Sequence, residues 1–278
     1  MRQYLDALQY VLDHGKDKPS RNSNVRSLLG MQQRYDLREG FPAVTTKKLA
    51  MKSMTAELLW FIKGSSDVKE LQKLGCHIWD ANAEAPYWKP KARFEGDLGR
   101  VYGVQWRDWQ KPDGTSVDQL MELIENIKKV KEDPTVSEGR RLILMAWNPG
   151  ELDQMALPPC HMFAQFYVSG DELSVNMYQR SCDMFLGVPF NIASYSLFLS
   201  MIAQVTGLKA AEFVHTLGDA HIYEDHIDAV KEQLTRTPHP LPTLWLNPDV
   251  KNIQDFTMDD VKLNNYVHDE TIKAKMAV

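Results

Sequence analysis

The spacing of apolar residues divides the chain into segments with helical or strand-like periodicity. Leu5, Leu8 and Val11 recur every three or four residues, which predicts an amphipathic helix, and Gly15 follows as its stop. Four more segments, 51–62, 117–130, 192–205 and 223–234, have helical patterns. Strand-like runs occur at 28–37, 141–147, 162–168, 173–178, 214–217 and 244–246.

Helical and strand-like segments are intermixed along the whole chain. No internal repeat, low-complexity tract or linker interrupts them. The pattern predicts a single α+β domain over residues 1–278, with a mixed β-sheet flanked by helices.

Composition narrows the class of protein. The net charge of −5 argues against a general nucleic-acid binder, although a local arginine cluster can still bind an anion. No apolar run reaches the roughly 18–20 residues that span a membrane, and the N-terminus lacks the apolar core of a signal peptide. The three cysteines form no CxxC pair or disulfide framework. We therefore expect a cytoplasmic enzyme-like protein with no membrane segment.

Cys160 lies in a setting that favours a reactive thiol. It follows two prolines, and a predicted hairpin brings Arg180 back towards it. A neighbouring cation stabilises the thiolate and lowers its pKa, and the thiolate is the nucleophile. Arg180 also suits a phosphate or carboxylate. A buried cysteine that acts only as a small hydrophobe is the alternative, and a cysteine hydrolase is less favoured because no oxyanion motif accompanies His161.

Two other side chains carry chemical information. Glu57 lies in an apolar run, where burial would raise its pKa and suit it to proton transfer. The amide of Asn191 offers both a hydrogen-bond donor and an acceptor, so it can read the edge of a ligand that presents one of each. Asn191 also precedes a predicted helix, so a simple N-cap is the alternative.

An ordered set of motifs resembles the thymidylate synthase family from about Arg21 to the last residue. The matching segments include Glu57-Leu58-Leu59-Trp60-Phe61, Ile78-Trp79-Asp80, Val101-Tyr102-Gly103, Gln105-Trp106-Arg107, Arg140-Arg141, the stretch 157–191, Gly218-Asp219-Ala220-His221-Ile222-Tyr223 and Lys275-Met276-Ala277-Val278. The resemblance implies a large twisted sheet flanked by helices. It also implies reductive methylation of deoxyuridine monophosphate (dUMP), with 5,10-methylenetetrahydrofolate as co-substrate and no metal.

The resemblance also assigns expected roles to individual residues. Cys160 would add to C6 of the uracil ring, and the activated C5 would then attack the methylene group of the folate. The other expected catalytic residues are Glu57, Tyr102, Arg180 and Asp183. The expected dUMP contacts are Arg21, Arg140, Arg141, Gln179, Arg180, Ser181, Asp183, Asn191, His221 and Tyr223. The expected folate contacts are Ile78, Trp79, Asp183, Leu186, Gly187, Phe190 and Ala277, with Lys47, Lys48 and Lys52 as further candidates.

The family pattern further implies a homodimer in which Arg140 and Arg141 reach the partner subunit's phosphate site. Adjacent arginines are otherwise often a solvated face. His221 and His226 have metal-ligand residue types, but an offset of five residues does not align them on one helical face.

The sequence departs from the family pattern in a few places. Residues 22–26 lack the usual glycine, and Arg100 stands where a proline is usual, close to Tyr102. These departures keep open a dUMP hydroxymethylase, in which water traps the methylene group and yields 5-hydroxymethyl-dUMP and tetrahydrofolate. A non-catalytic nucleotide- or RNA-binding relative is the remaining alternative, although RNA binding is not predicted.

Overall fold

A six-stranded mixed sheet forms the centre of the fold. The computed structural model describes residues 1–21 and 23–275. The strand order is β1-β2-β8-β7-β6-β5, in which β7 and β8 run parallel and the other neighbours run antiparallel. Two two-stranded sheets, β3-β4 and β9-β10, lie apart from it. The predicted α+β architecture, a large mixed sheet flanked by helices, is confirmed.

The elements have the following bounds. The helices are α1 (Arg2–His14), α2 (Met51–Lys63), α3 (Val68–Lys73), α4 (Asp80–Ala83), α5 (Tyr102–Arg107), α6 (Gln119–Glu132), α7 (Gly187–Thr206) and α8 (Ile227–Leu234). The strands are β1 (Lys16–Lys18), β2 (Val25–Asp36), β3 (Trp109–Gln110), β4 (Ser116–Val117), β5 (Ile143–Met145), β6 (His161–Ser169), β7 (Glu172–Asp183), β8 (Lys209–Tyr223), β9 (Thr243–Leu246) and β10 (Val261–Asn264).

The hairpin β6–β7 forms where the sequence predicts it. Gly170, in the left-handed region at φ 60°, makes the tight turn that an L side chain would strain. Buried residues alternate along β7, so one face of this strand packs into the core. The hairpin register pairs His161 with Gln179, which brings the end of β7 next to Cys160.

Helix α7 is the core helix and provides the crossover between the parallel strands β7 and β8. By length and apolar composition alone it could cross a membrane, but 72% of that stretch is buried inside the fold. A helix that is apolar all round is typical of a protein core. Its left-handed C-cap is Gly207.

Several element boundaries differ from the predictions. Strand β8 has 15 residues and includes Tyr223, whereas the sequence predicts a strand only at 214–217 and a helix from residue 223. Pairing with β2 on one side and β7 on the other stabilises a strand through Gly218 and Asp219, whose residue types favour turns. Helix α7 begins at Gly187, so Asn191 lies in its second turn and the N-cap alternative is wrong.

The irregular segment 83–96 is held against the fold by two aromatic side chains. Trp88 is 2% exposed, and its indole N–H donates to the carbonyl of Asp97 at 2.6 Å. The hydroxyl of Tyr87 donates to the carbonyl of Ala156 at 2.6 Å.

The sheet's two faces differ in coverage. Leu144, Ala164, Met177 and Phe166 are buried on the core face. On the other face, Ile143 and Tyr167 keep 42% and 63% of their surface exposed. An antiparallel sheet commonly packs only one face on its own core, and here the second face carries large apolar side chains.

Candidate active site

Cys160 immediately precedes β6, where three parts of the chain meet. Its backbone N–H donates to the hydroxyl of Tyr102 at 2.7 Å, at the start of α5. Its carbonyl accepts from the backbone N–H of Arg180 at 2.8 Å, near the end of β7. The predicted approach of Arg180 to Cys160 is therefore confirmed.

The Arg180 side chain is fixed beside the two prolines that precede Cys160. Its Nε donates to the carbonyl of Pro159 at 2.8 Å, and Nη2 donates to the carbonyl of Pro158 at 3.0 Å. The guanidinium also lies over the ring of Trp147, 5.1 Å from its centroid. These contacts orient a planar cation at the cysteine without neutralising it by a carboxylate.

The protonation of Cys160 differs from the expectation. Burial raises its pKa, and the opposing effects of the Arg180 charge and the Tyr102 hydrogen bond do not outweigh burial. The resting side chain at neutral pH is therefore the thiol, and the predicted net lowering of the pKa is wrong for the protein alone. An arginine lowers a thiol pKa only as far as its charge exceeds the desolvation penalty.

His161, next to the cysteine, has a structural environment. Its ring stacks on Tyr102 with centroids 4.1 Å apart, and Nδ1 lies 3.0 Å from the Tyr195 hydroxyl. Burial lowers its pKa to about 3, so the imidazole is neutral at physiological pH. It supports the ring of Tyr102 rather than supplying a charge to the thiol.

Glu57 on α2 is a buried carboxyl that accepts from one donor among residues 1–21 and 23–275. Its side chain is 7% exposed, and the indole N–H of Trp79 donates to Oε1 at 2.6 Å. Burial raises its pKa to about 7, against a smaller opposing effect of the Trp79 hydrogen bond. Burial also raises the pKa of Tyr102, and the charges of Cys160 and Glu57 add to that effect, which places the three groups in one cluster.

The ends of β7 and β8 assemble polar residues on the other side of Cys160. The parallel register pairs Ser181 with Asp219 and Asp183 with His221. Tyr223 ends β8. Burial raises its pKa, and the charges of Asp183, Cys160 and Arg21 also act on that pKa, so these groups surround one space. The imidazole Nδ1 of His221 lies 3.0 Å from the carbonyl of Asp219.

Asp183 and the start of α7 form one wall of the site. Oδ1 of Asp183 accepts from the N–H groups of Phe185 at 3.0 Å and Leu186 at 3.2 Å. Its Oδ2 receives no hydrogen bond from residues 1–21 and 23–275. A Cβ placed on Gly187 would lie 3.5 Å from Cβ of Asp183 and 3.8 Å from Oδ1 of Asn191. Gly187 and Asn191, four residues apart, therefore share a helix face beside Asp183.

The expected apolar folate contacts lie on both sides of this cluster. Trp79 is buried, its ring 5.9 Å from that of Tyr102. Ile78, Leu186 and Phe190 are partly buried and pack against the core. The site thus combines an apolar wall with a carboxylate that keeps one oxygen available among the described residues. Ala277 lies outside the described residues.

Some expected contacts point elsewhere or lie far away. The Gln179 side chain is 2% exposed and binds the carbonyl of Ser181 and Nε2 of His215, inside the sheet. Lys47, a further candidate for a folate contact, is buried, and its ammonium donates to the carbonyl of Phe185 at 2.5 Å, so its side chain points into the fold. Burial lowers the pKa of Lys47 to about 7.

Arg140 and Arg141 lie at the opposite end of β6 from Cys160. The N–H of Phe166 donates to the carbonyl of Leu142, the neighbour of Arg141, at 2.7 Å. Phe166 lies six residues along the chain from Cys160, which corresponds to roughly 20 Å in a strand. Arg141 instead binds the carbonyl and hydroxyl of Ser137. The two arginines are therefore not gathered at the site of their own chain.

Two contributors were missed by the sequence reasoning. Nε2 of buried His226 lies 2.7 Å from the carbonyl of Lys275, and Nδ1 is 3.9 Å from Oδ1 of Asp183, so this histidine connects the C-terminal segment to the site. Arg100 forms ion pairs with Asp108 and Glu151. His226 stood out only by its residue type, and Arg100 only as a departure from the family pattern.

The described residues hold no group of three His, Cys, Asp or Glu side chains that could bind a metal ion. A family model described as thymidylate synthase matches residues 2–278, which is essentially the whole chain. Enzymes of that family act on dUMP with methylenetetrahydrofolate. A match of that extent, over this mixed sheet, shows that the chain belongs to the thymidylate synthase family.

Proposed function

We propose that the protein is a thymidylate synthase that converts dUMP to deoxythymidine monophosphate (dTMP). The observation that carries this proposal is the arrangement at Cys160. The cysteine is bound on one side by Tyr102 and on the other by Arg180, and it shares a buried cluster with Glu57. A nucleophile, an anion-binding cation and a carboxyl with a pKa of about 7 are the groups that this chemistry needs.

The first step is addition of the Cys160 sulfur to C6 of uracil. The thiol loses its proton as the S–C6 bond forms, and the electron pair of the C5–C6 double bond moves to C5 and O4 as an enolate. Burial keeps the resting thiol protonated, and the positive charge of Arg180 acts against that effect by stabilising the thiolate. Glu57, through water, is positioned to exchange protons with the base.

Substrate recognition is proposed to follow the chemistry of each side chain. Arg180, Arg21 and Ser181 bind the phosphate, and His221 and Tyr223 contact the sugar hydroxyl. Asn191 reads the uracil edge, with Gln179 supporting this wall from inside the sheet. An unpaired buried polar group costs about 1–3 kcal/mol, so cytosine would be disfavoured opposite the Asn191 amide. Arg140 and Arg141 complete the phosphate site from the partner subunit.

The co-substrate is proposed to lie against Trp79, Ile78, Leu186, Gly187 and Phe190, with Ala277 as a further contact. Oδ2 of Asp183 accepts from the pterin N–H groups. Bound there, 5,10-methylenetetrahydrofolate supplies both the one-carbon unit and the hydride and leaves as dihydrofolate. The buried aromatic wall excludes water, which favours hydride transfer over hydration.

A homodimer is proposed on two observations. One sheet face carries exposed Ile143 and Tyr167, and large exposed apolar side chains mark interaction surfaces. Arg141 lies at the edge of that face, remote from Cys160 of its own chain. An isologous dimer through this face would present the arginine pair to the other subunit.

Product analysis tests the reaction. We would incubate the protein with dUMP and methylenetetrahydrofolate and identify both products by mass spectrometry. The proposal expects dTMP and dihydrofolate, with turnover abolished in Cys160→Ala and retained in Cys76→Ala, which removes another buried thiol. Formation of 5-hydroxymethyl-dUMP and tetrahydrofolate would instead assign the hydroxymethylase. Absence of both products, with dUMP still bound, would indicate the non-catalytic relative.

Subunit mixing tests the shared site. Cys160→Ala and the double variant Arg140→Ala/Arg141→Ala should each be inactive alone. Random exchange of equal amounts puts half of the chains in mixed dimers, each with one intact site, which restores roughly one quarter of full activity. No recovery, with exchange shown by native mass spectrometry, would refute donation across the interface.

A further inference from the structure

The segment before Cys160 pairs with the segment before Tyr102. Gly99 forms an antiparallel bridge with Met155, the N–H of Arg100 donates to the carbonyl of Gln154 at 2.9 Å, and the N–H of Ala156 donates to the carbonyl of Leu98 at 3.0 Å. The chain then reaches Cys160 on one side and Tyr102 on the other. These two arms meet again where the Cys160 N–H donates to the Tyr102 hydroxyl.

The crossing is closely packed at Gly99. A Cβ at this position would lie 2.1 Å from the carbonyl oxygen of Gln154, and φ is 74°. The backbone bonds fix how closely the arms approach, and Gly103 packs α5 against the backbone of Phe61 on α2. Side chains add a direct connection between α5 and the segment before Cys160.

Arg100 makes that connection. Its guanidinium donates from Nε to Glu151 Oε2 at 2.5 Å, from Nη1 to Asp108 Oδ2 at 3.1 Å and from Nη2 to the Asp108 carbonyl at 2.5 Å. Glu151 lies in the segment that leads to Cys160, and Asp108 is the C-cap of α5. The Arg100 and Glu151 side chains are only 12% and 13% exposed.

Gln105 on α5 completes the network. Its amide N–H group donates to the carbonyl of Arg100 at 3.0 Å and to Oε2 of Glu151 at 2.7 Å. Glu151 therefore accepts from both the arginine and the helix. Removing either charge leaves the other in a largely desolvated position, so the contacts hold one arrangement of α5 against the loop.

We infer that Arg100, through Glu151 and Asp108, is a positioning residue that aligns Tyr102 with the Cys160 backbone for addition to the substrate. This inference rests on the proposed function, since it assigns a role relative to the proposed nucleophile. Displacing reacting groups by about 1 Å can cost about 100-fold in rate. The effect should therefore fall on the addition step rather than on phosphate binding, which uses other residues.

The test compares Arg100→Met and Arg100→Lys with Arg107→Met. Arg107 is on the same helix and is 18% exposed, but it binds Asp118 and the carbonyl of Ile62, away from the Cys160 segment. For each variant we would measure kcat, the dissociation constant for dUMP, thermal stability, and the alkylation rate of Cys160 by iodoacetamide as a function of pH.

The inference expects kcat to fall about 10- to 100-fold in Arg100→Met. The dUMP affinity should change less than threefold, and the pH profile of Cys160 alkylation should shift. Arg100→Lys should recover part of the rate, and Arg107→Met should lose stability without altering the alkylation profile. Arg100→Met/Glu151→Gln should be no slower than the slower single variant, because the two residues act as one unit.

Two results would overturn the inference. One is an Arg100→Met variant with lowered thermal stability but wild-type kcat and alkylation profile. The other is additive losses of rate in Arg100→Met and Glu151→Gln. If Arg100→Met does not fold, a Glu151→Gln variant with wild-type kcat and alkylation profile overturns the inference in its place. Turnover by Cys160→Ala would instead refute the proposed nucleophile, and so separates failure of the proposed function from failure of this inference.

Discussion

Glu57 and Asp97 are both buried carboxyls, but they lie in regions with different numbers of donors. Glu57 is 7% exposed and accepts a hydrogen bond from Trp79. Asp97 is 1% exposed and accepts from the side chains of Arg93 and Ser66 and from the backbone N–H groups of Arg93 and Gly99. Burial raises the pKa of Glu57 to about 7. At Asp97, burial acts in the same direction, but these donors outweigh it and hold the pKa well below its usual range.

The comparison shows that burial alone does not determine the role of a carboxyl. A carboxylate with several donors stays ionised and anchors the surrounding backbone. Asp97 in this way connects Ser66 with residues 93–99. A carboxyl with one neutral donor changes protonation near physiological pH, which suits proton transfer. The two acids therefore predict opposite consequences when each is neutralised.

The largest effect is expected from Glu57→Gln. The amide keeps an acceptor for the Trp79 indole but cannot exchange a proton, so kcat should fall by about 10²- to 10⁴-fold. Steady-state kinetics with dUMP and methylenetetrahydrofolate measures this loss. The protein should remain folded, as judged by circular dichroism. A kcat within threefold of wild type would remove Glu57 from the proton-transfer role.

The second effect is a change in how stability depends on pH. A carboxyl whose pKa is higher in the folded protein than in the unfolded chain stabilises the fold at pH values below its unfolded-state pKa. That stabilisation is lost as the pH rises through its folded-state pKa. With a shift from 4.5 to about 7, wild type should lose about 3 kcal/mol relative to Glu57→Gln between pH 4.5 and 7.5. Urea unfolding of both proteins across that range measures the difference. A constant difference would contradict the raised pKa.

Residue patterns in the sequence predict the central hairpin, the core helix and the region that contains the proposed nucleophile, Cys160. Helix α7 and the β6–β7 hairpin are predicted because their apolar periodicity and turn residues agree with the final fold. The extent of β8 is not predicted, because Gly218 and Asp219 become strand residues only when β2 and β7 pair on both sides. Local propensity contains no information about those distant neighbours.

The site shows the same division between local and long-range information. Residue types and motifs identify Cys160, Arg180 and Glu57, and the raised pKa of Glu57 follows from its apolar neighbours. The net pKa of Cys160 is predicted with the wrong sign, because desolvation depends on how completely residues distant in sequence bury the thiol. The contact of His226 with Lys275 spans 49 residues and has no sequence signal.

The third prediction concerns Asp97→Asn. The asparagine side chain places an NH₂ group among donors that face a carboxylate in the wild type. The charge-assisted hydrogen bonds of that carboxylate are therefore lost. The expected destabilisation is about 2–3 kcal/mol, measured by urea unfolding at pH 7.5. Neutralising Glu57 at this pH should have the opposite sign. If both variants were destabilised equally, the number of donors would not explain the difference between the two acids.

The smallest effect is expected from Ser66→Ala, which removes one of several donors to Asp97. The hydroxyl donates to Oδ1 at 2.7 Å, while Arg93 and the Gly99 N–H still bind the carboxylate. The loss should be about 1 kcal/mol. The pKa of Asp97 should rise only towards its usual value, so the acid-unfolding midpoint moves slightly to higher pH. Trp79→Phe is the matched change at Glu57, and because it removes the indole N–H that donates to this carboxyl, it should raise the pKa of Glu57 further. A larger stability loss in Ser66→Ala than in Asp97→Asn would mean that Ser66 acts through packing rather than through the carboxylate, and the donor-number argument would then fail at the acid that best illustrates it.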